Sequence, residues 1–360
     1  MSNLDEALER FLLVDLEYAG GFANHGPMAA EALESIGHQS LIPAFVDSYA
    51  PRLPLAGSGR ALRPDEREAA RGNPARRADW TAHFEAALES GDWKAVALPA
   101  VHDLLPGLAA AAGHGLLRTF HAMRALERED NGVRRQELAR GLAYWSSKFQ
   151  RLPGEPGRAA EGTGSTTGEG AGDPGRWLAG IPVLAGKYAS TATFEDALRR
   201  LEGDGAFLEA IERIPLPDAR DVDAFLAATC RAAAGLYLAH SGSRIAYVHA
   251  VTIPSAMRWL APRLDPEDAR RGAGFAFQAV AAFHAVMGET PTRESVDDDV
   301  RRTAESWDEI RYRAACSLEE HAVKLAEACW REDRRTPDPV FRLAAADAAL
   351  RLEGNPNAAR

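Results

Sequence analysis

The sequence predicts an all-α, multi-helical fold. Three observations lead there: apolar residues recur every three to four positions along most of the chain, Val, Ile and Thr never cluster with period two, and Gly or Pro falls at helix-length intervals. The chain has 360 residues, 46% hydrophobic and 26% charged, enough for a sizeable core. One helical domain over 1–360 is expected, with 1–150 and 176–360 as lobes, if there are two, joined by a loop at 151–175.

A first amphipathic helix is expected from about Asn3 to Tyr18, with Leu4, Leu8, Phe11 and Leu12 at helical spacing, ended by Gly20 and Gly21. Pro27 suits the first turn of a second helix, Met28 to Ile36, which Gly37 stops. Leu41 to Tyr49 makes a short helix, and the Pro-, Gly- and Arg-rich stretch Arg52 to Ala75 reads as a surface loop. Trp80 to Leu88 and Trp93 to Ala112 are helical, the second bent by Pro99 and Pro106. A helix through His114 and Arg124 follows, then an amphipathic one over Arg135 to Phe149. Pro153 to Gly175 reads as a mobile loop or lid; no strand precedes its glycines and no GK[ST] follows, so it is not a phosphate cradle. The second half is helix after helix: Thr193 to Leu201, Phe207 to Arg213, Asp221 to Ala239, Arg244 to Leu260, Asp265 to Met287, Val300 to Arg311, Ala314 to Arg331 and Asp338 to Leu352.

Formal net charge is −10 without a dense Lys/Arg block, which argues against nucleic-acid and anionic-membrane partners. Cys230, Cys316 and Cys329 form no CxxC, so neither a disulfide framework nor a structural zinc site is suggested. The first residues carry acids through their apolar run and lack a basic region, unlike a signal peptide, and no apolar run approaches a membrane span. A cytoplasmic location is expected.

The stretch that organises the chemistry is Glu319 to Trp330. His321 and Lys324 are three apart and share a helix face. The plain reading of Lys324 is an exposed side chain paired with Glu320 at i,i+4. Three other histidine stretches weigh toward a buried pocket. His25 sits at a helix entry; His114, Arg118 and His121 fall at i, i+4 and i+7 on one stripe; His249 lies one turn before Pro254, which should kink its helix. A buried stripe of His, Arg and His favours a polar pocket over pure packing. No HExxH, no Glu three residues before a histidine and no GxSxG occurs, which argues against a zincin, a ferritin-like di-iron bundle and a serine hydrolase. His83-Phe84-Glu85 matches half a facial triad, but on a helical segment rather than a β-sandwich. Imidazole suits iron, copper and zinc alike, and a neutral histidine set leaves a metal's charge uncompensated. A deprotonated Lys324 that took up carbon dioxide as a carbamate would supply an anionic ligand.

The segments NHGPMAAEAL, HGLLRTFHAMRAL, LAYWSSKFQRLPG, VHAVTIPSAMRWL and EEHAVKLAEAC, in that order, resemble the questin oxidase-like family from about Phe11 to Glu332. The resemblance implies a dioxygen-using oxidoreductase that opens a ring of anthraquinone-like substrates, described in fungal polyketide pathways as an NADPH-dependent, Baeyer–Villiger-type oxidase. It also implies a mononuclear non-haem iron, Fe(2+), held by His25, His114, His249 and His321 with a carboxylated Lys324. Where relatives often carry a second histidine this chain has Arg118, placed to stabilise a developing phenolate, and His121 either substitutes for that histidine or stands behind the ligands. Relatives often have Asp where Glu320 stands. Two further readings stay open: a metal-free, NADPH-dependent monooxygenase, and a helical small-molecule-binding protein without chemistry.

Overall fold

The computed structural model describes residues 2–19, 21–158, 173–184, 194–288 and 296–352. Among these, eighteen α-helices form, and the strands are β1 (Glu17–Tyr18) and β2 (Phe22–Ala23), a short antiparallel hairpin. The helices are α1 Asn3–Leu12, α2 Gly26–Ser35, α3 Ile42–Tyr49, α4 Arg67–Ala70, α5 Arg77–Leu88 and α6 Trp93–Leu104. Then come α7 His114–Arg128, α8 Gly132–Ser147, α9 Pro174–Ala179, α10 Phe194–Arg199, α11 Gly205–Glu212 and α12 Val222–Ala239. The last six are α13 Arg244–Leu260, α14 Pro266–Met287, α15 Asp298–Thr303, α16 Trp307–Ser317, α17 Glu320–Arg335 and α18 Pro339–Arg351. The fold is all-α, as the periodicity predicts.

Several boundaries differ, each for a local reason. Helix α1 stops at Leu12 rather than near Tyr18, because the next residues pair with a distant segment: Asp15 N–H donates to Pro54 O at 2.8 Å and Ala56 N–H to Leu13 O at 3.0 Å. Helix α6 ends at Leu104, where Pro106 cannot extend the ladder, and Ala111, Ala112 and Gly113 are left-handed at φ 49°, 57° and 80°. The expected junction between 311 and 314 is instead continuous α16. The breaks lie at Ser306, which caps α16 by accepting from Glu309 N–H, and at Leu318, left-handed at φ 51°. Neither break carries a Gly or Pro, so periodicity alone misplaces them. Residues 159–172 of the expected lid lie outside the described residues, while Pro174–Ala179 is helical, with Asp173 accepting from Gly175 N–H. The stretch Ala219–Ala239 is long and apolar enough to cross a membrane by length and composition, but half of it is buried inside the protein.

Both halves share one core. The largest hydrophobic cluster runs from Met28 through Trp145 to Tyr247, Phe277 and Phe341 and draws on residues of both halves. At its centre α2 packs on α7, α7 on α13, α13 on α17 and α17 back on α2, a closed ring with two helices from each half. Contacts climb the ring in step. His249 of α13 meets His321 of α17, then Arg331 Nη1 donates to Ser255 O at 2.9 Å, and Arg258 pairs with Glu332 at 2.6 Å. Helices α13 and α17 therefore run parallel, and α2 and α7 follow the same direction, as the site shows below.

Gly115 lets α7 close on α8, since a Cβ there would lie 2.6 Å from Trp145 Cα. Gly115→Ala should therefore destabilise the protein by about 1–3 kcal/mol despite alanine's better helix propensity. Urea unfolding checks this: the midpoint should fall while the slope stays unchanged.

Candidate metal centre

Four imidazoles meet at one end of the ring, one from each helix or its cap. His25 stacks on His114 at a 4.5 Å centroid separation, with His321 edge-on to His25 at 4.7 Å and His249 edge-on to His114 at 4.5 Å. All four are buried, as is Lys324 of α17. Three of the four helices begin here: His25 is the N-cap of α2, His114 opens α7 and His321 is the second residue of α17.

Local sequence explains each placement. Asn24 is buried; its amide donates to Asp15 O at 3.0 Å and its Oδ1 accepts from Gly26 N–H at 2.9 Å, tying the hairpin to the start of α2. Pro27 needs no donor there, and His25 N–H donates to Tyr49 Oη at 2.9 Å. The left-handed run before α7 turns the Ala111 carbonyl onto His114 Nδ1. Glu319 caps α17 by accepting from Ala322 N–H at 2.6 Å with one oxygen, and its other oxygen accepts from His321 Nδ1 at 2.8 Å. His249 lies mid-helix in α13, its ring stacked 6.0 Å from Phe283, and the helix runs on through Pro254.

Counting protons reveals a conflict. Neutral His114 donates from Nδ1 to Ala111 O, so its lone pair is on Nε2. That atom lies 2.6 Å from His25 Nε2. If His25 carries its proton on Nε2, its Nδ1 lone pair is left without a partner, 3.6 Å from the Glu320 carboxylate. If the proton is on Nδ1, it faces Glu320 favourably, but two lone pairs collide at 2.6 Å. Only the first tautomer makes the short contact a hydrogen bond, His25 Nε2–H to His114 Nε2, and it leaves the His25 Nδ1 lone pair unpartnered near Glu320. His25, Glu320 and His321 offer ligand atoms that all lie within 4.8 Å of one another.

Electrostatics agree with neutral imidazoles. Burial lowers His25, His114 and His249 well below the usual histidine range, and Lys324 pushes each of them further down. Burial pulls Lys324 itself down to about 8 against the attraction of Glu320 and Glu319. Its Nζ has no hydrogen-bond partner, nor does His249 Nδ1. The exposed Lys324–Glu320 pair that helix spacing favours is thus overturned: Lys324 is 2% exposed.

Arg118 and His121 serve other contacts. Arg118 is fork-paired with Glu137 of α8, Nε to Oε1 at 2.6 Å and Nη2 to Oε2 at 2.8 Å, a buried tie between α7 and α8. His121 shares the stripe of His114, but seven residues of helical rise carry it roughly 10 Å along the axis. There its Nδ1 meets Glu31 of α2 at 2.5 Å, while Arg124 pairs with both Glu31 and Glu327 of α17. This second polar level, two turns above the first on the same three helices, shows that α2, α7 and α17 run in parallel. Glu319 and Glu320 are the site residues that sequence reasoning did not assign. The signal for Glu319 was a carboxylate just before the helix, two residues from a histidine. A further grouping, His102, Asp265 and Asp268, is accounted for by an ion pair at 2.6 Å and by Asp265 capping α14. Compared with known proteins, the sequence matches no family model and no curated protein at a significant level.

Lys324→Met should stabilise the metal-free protein at pH 7. The folded-state value near 8 lies below the unfolded value near 10.5, so the folded chain binds fewer protons between these limits and wild-type stability rises with pH across them. The variant should gain up to about 3 kcal/mol at pH 7, with the gain shrinking toward pH 10. Denaturant titrations of both proteins across that range, in buffer free of carbon dioxide, check the trend.

Proposed function

We propose that His25, His114, His249 and His321 hold one metal ion, with Glu320 and Lys324 at its side, and that the protein is an oxidoreductase using dioxygen on an electron-rich aromatic ring. The observation that carries this reading is the gathering of four buried imidazoles from α2, α7, α13 and α17 around atoms without a hydrogen-bond partner, His25 Nδ1, His249 Nδ1 and Lys324 Nζ. Burial supports it further: it favours the neutral forms of His25, His114 and His249, which keep lone pairs available. Iron and an anthraquinone-like or related polyphenolic substrate come from the family resemblance alone. An iron ion held there would supply reactivity toward dioxygen that no side chain of the site possesses.

The chain's own residues have definable tasks. Helix starts and side chains close the centre off from water, so charges within it are weakly screened. The neutral Lys324 amine can attack carbon dioxide: an N–C bond forms, one proton leaves, and the resulting carbamate adds negative charge beside the imidazoles. Without that reaction, the same amine is placed to take a proton from an acidic phenol. Tyr49 holds the His25 backbone by its hydroxyl and packs its ring edge-on to Tyr18 at 6.4 Å, so the β1–β2 hairpin is coupled to the centre. Four cavities of about 310 to 560 Å³ lie elsewhere, and none of the four is lined by these histidines.

Protein purified without a metal-affinity tag, anaerobically and with iron supplied, should carry about one iron per chain by elemental analysis, and His249→Ala should lose it. The iron-loaded protein should then consume dioxygen with a polyphenolic quinone in an oxygen electrode. Protein without metal under those conditions would overturn the reading and pass it to NADPH-dependent turnover.

A further inference from the structure

We infer that Glu319 is a positioning residue that locks His321 in the tautomer able to ligate a metal, an inference that rests on the metal reading above. The geometry is specific. Glu319 Oε1 accepts from His321 Nδ1 at 2.8 Å, and both side chains are buried. A carboxylate has only lone pairs, so it accepts and cannot donate. The His321 proton is therefore held on Nδ1, and the lone pair falls on Nε2. Glu319 is itself fixed, because its second oxygen accepts from Ala322 N–H at 2.6 Å as the cap of α17. One side chain thus sets where α17 begins and which nitrogen of its second residue is free. The Ala111 carbonyl does the same for His114 Nδ1, so two of the four imidazoles are locked by acceptors that cannot reverse. His25 and His249 each have an Nδ1 without a hydrogen-bond partner.

Glu319→Gln separates the two tasks. Its amide oxygen can still cap Ala322 N–H, which leaves the NH₂ facing His321 Nδ1. That donor demands a lone pair on Nδ1 and moves the ring proton to Nε2, the nitrogen needed by the metal. Glu319→Ser keeps a capping oxygen but does not reach the ring.

The experiment combines two readouts on wild type and both variants. Imidazole nitrogen shifts from ¹⁵N-histidine NMR of metal-free protein report the His321 tautomer, and anaerobic titration with Co²⁺ reports affinity and the visible ligand-field bands. The expected result is an Nδ1–H tautomer in wild type, Nε2–H in Glu319→Gln, and a 10–100-fold loss of Co²⁺ affinity with altered bands. Thermal melting shows whether the cap survives; should Glu319→Gln fail to fold, Glu319→Ser carries the affinity comparison. An Nε2–H tautomer in wild type, or wild-type Co²⁺ affinity in the folded variants, would overturn the inference while the metal centre stands. Wild type that binds no Co²⁺ while His321 stays Nδ1–H would instead sink the metal centre, and the positioning role of Glu319 with it.

Discussion

The structure depends on one constraint: four buried imidazoles and a buried amine must each place their protons and lone pairs without water. Two partners are fixed and point one way, the Ala111 carbonyl on His114 and Glu319 on His321. They dictate where those lone pairs fall. What remains is His25, which can donate to His114 across 2.6 Å only by leaving its own Nδ1 without a partner. Natural cores leave few buried polar groups unmatched, so the unpartnered atoms at His25, His249 and Lys324 set this cluster apart from ordinary packing.

Running α2, α7, α13 and α17 in parallel sets the electrostatics at both ends. Three helix starts at the histidines bring roughly half a positive charge each, which opposes a cation there. Glu319 and Glu320 counter this at the start of α17, and a carbamate on Lys324 would counter more. Two turns on, the sign reverses. Arg124, Arg128, Arg331, Arg334 and Arg335 gather around a cavity of about 500 Å³ near the helix ends, an arrangement that looks like an anion site. Yet Glu31, Glu34, Glu327 and Asp223 already pair with four of these arginines, and three C-terminal dipoles add negative charge. The balance there is close to neutral, so the arginines read as helix-end neutralisation and not as a ligand site.

Sequence reasoning carried the fold class and the identity of the clustered residues, because both rest on signals written locally. Helical periodicity is such a signal, and so is a histidine beside a helix start, as in Asn24-His25-Gly26-Pro27. The roles of Arg118 and His121 were not legible, because spacing on a helix fixes a stripe but not the height at which neighbours meet it. Arg118 is taken by Glu137, nineteen residues on, and His121 by Glu31, ninety residues back. Lys324 illustrates the same limit from the other side. Its i,i+4 partner Glu320 suggested a surface pair, and only the ring of four helices makes that face the interior.

The position of the site at the helix starts, and not midway along the ring, has a further physical consequence. Midway, a ligand would have to part helices packed along their length, as Gly115 against Trp145 shows for the neighbouring α7–α8 contact. At the starts, the cover is made of short pieces: the β1–β2 hairpin, the left-handed turn at Ala111–Gly113 and the residue pair before α17. Leu16, Ala23, Ala111 and Tyr144 form their own small apolar cluster, apart from the main core. Such a cluster buries little area, so opening it costs far less than separating core helices. The two acceptors that orient imidazoles, the Ala111 carbonyl and Glu319, belong to this same cover. A movement of this cover would therefore also disturb the two acceptors, the Ala111 carbonyl and Glu319, that hold the His114 and His321 protons in place.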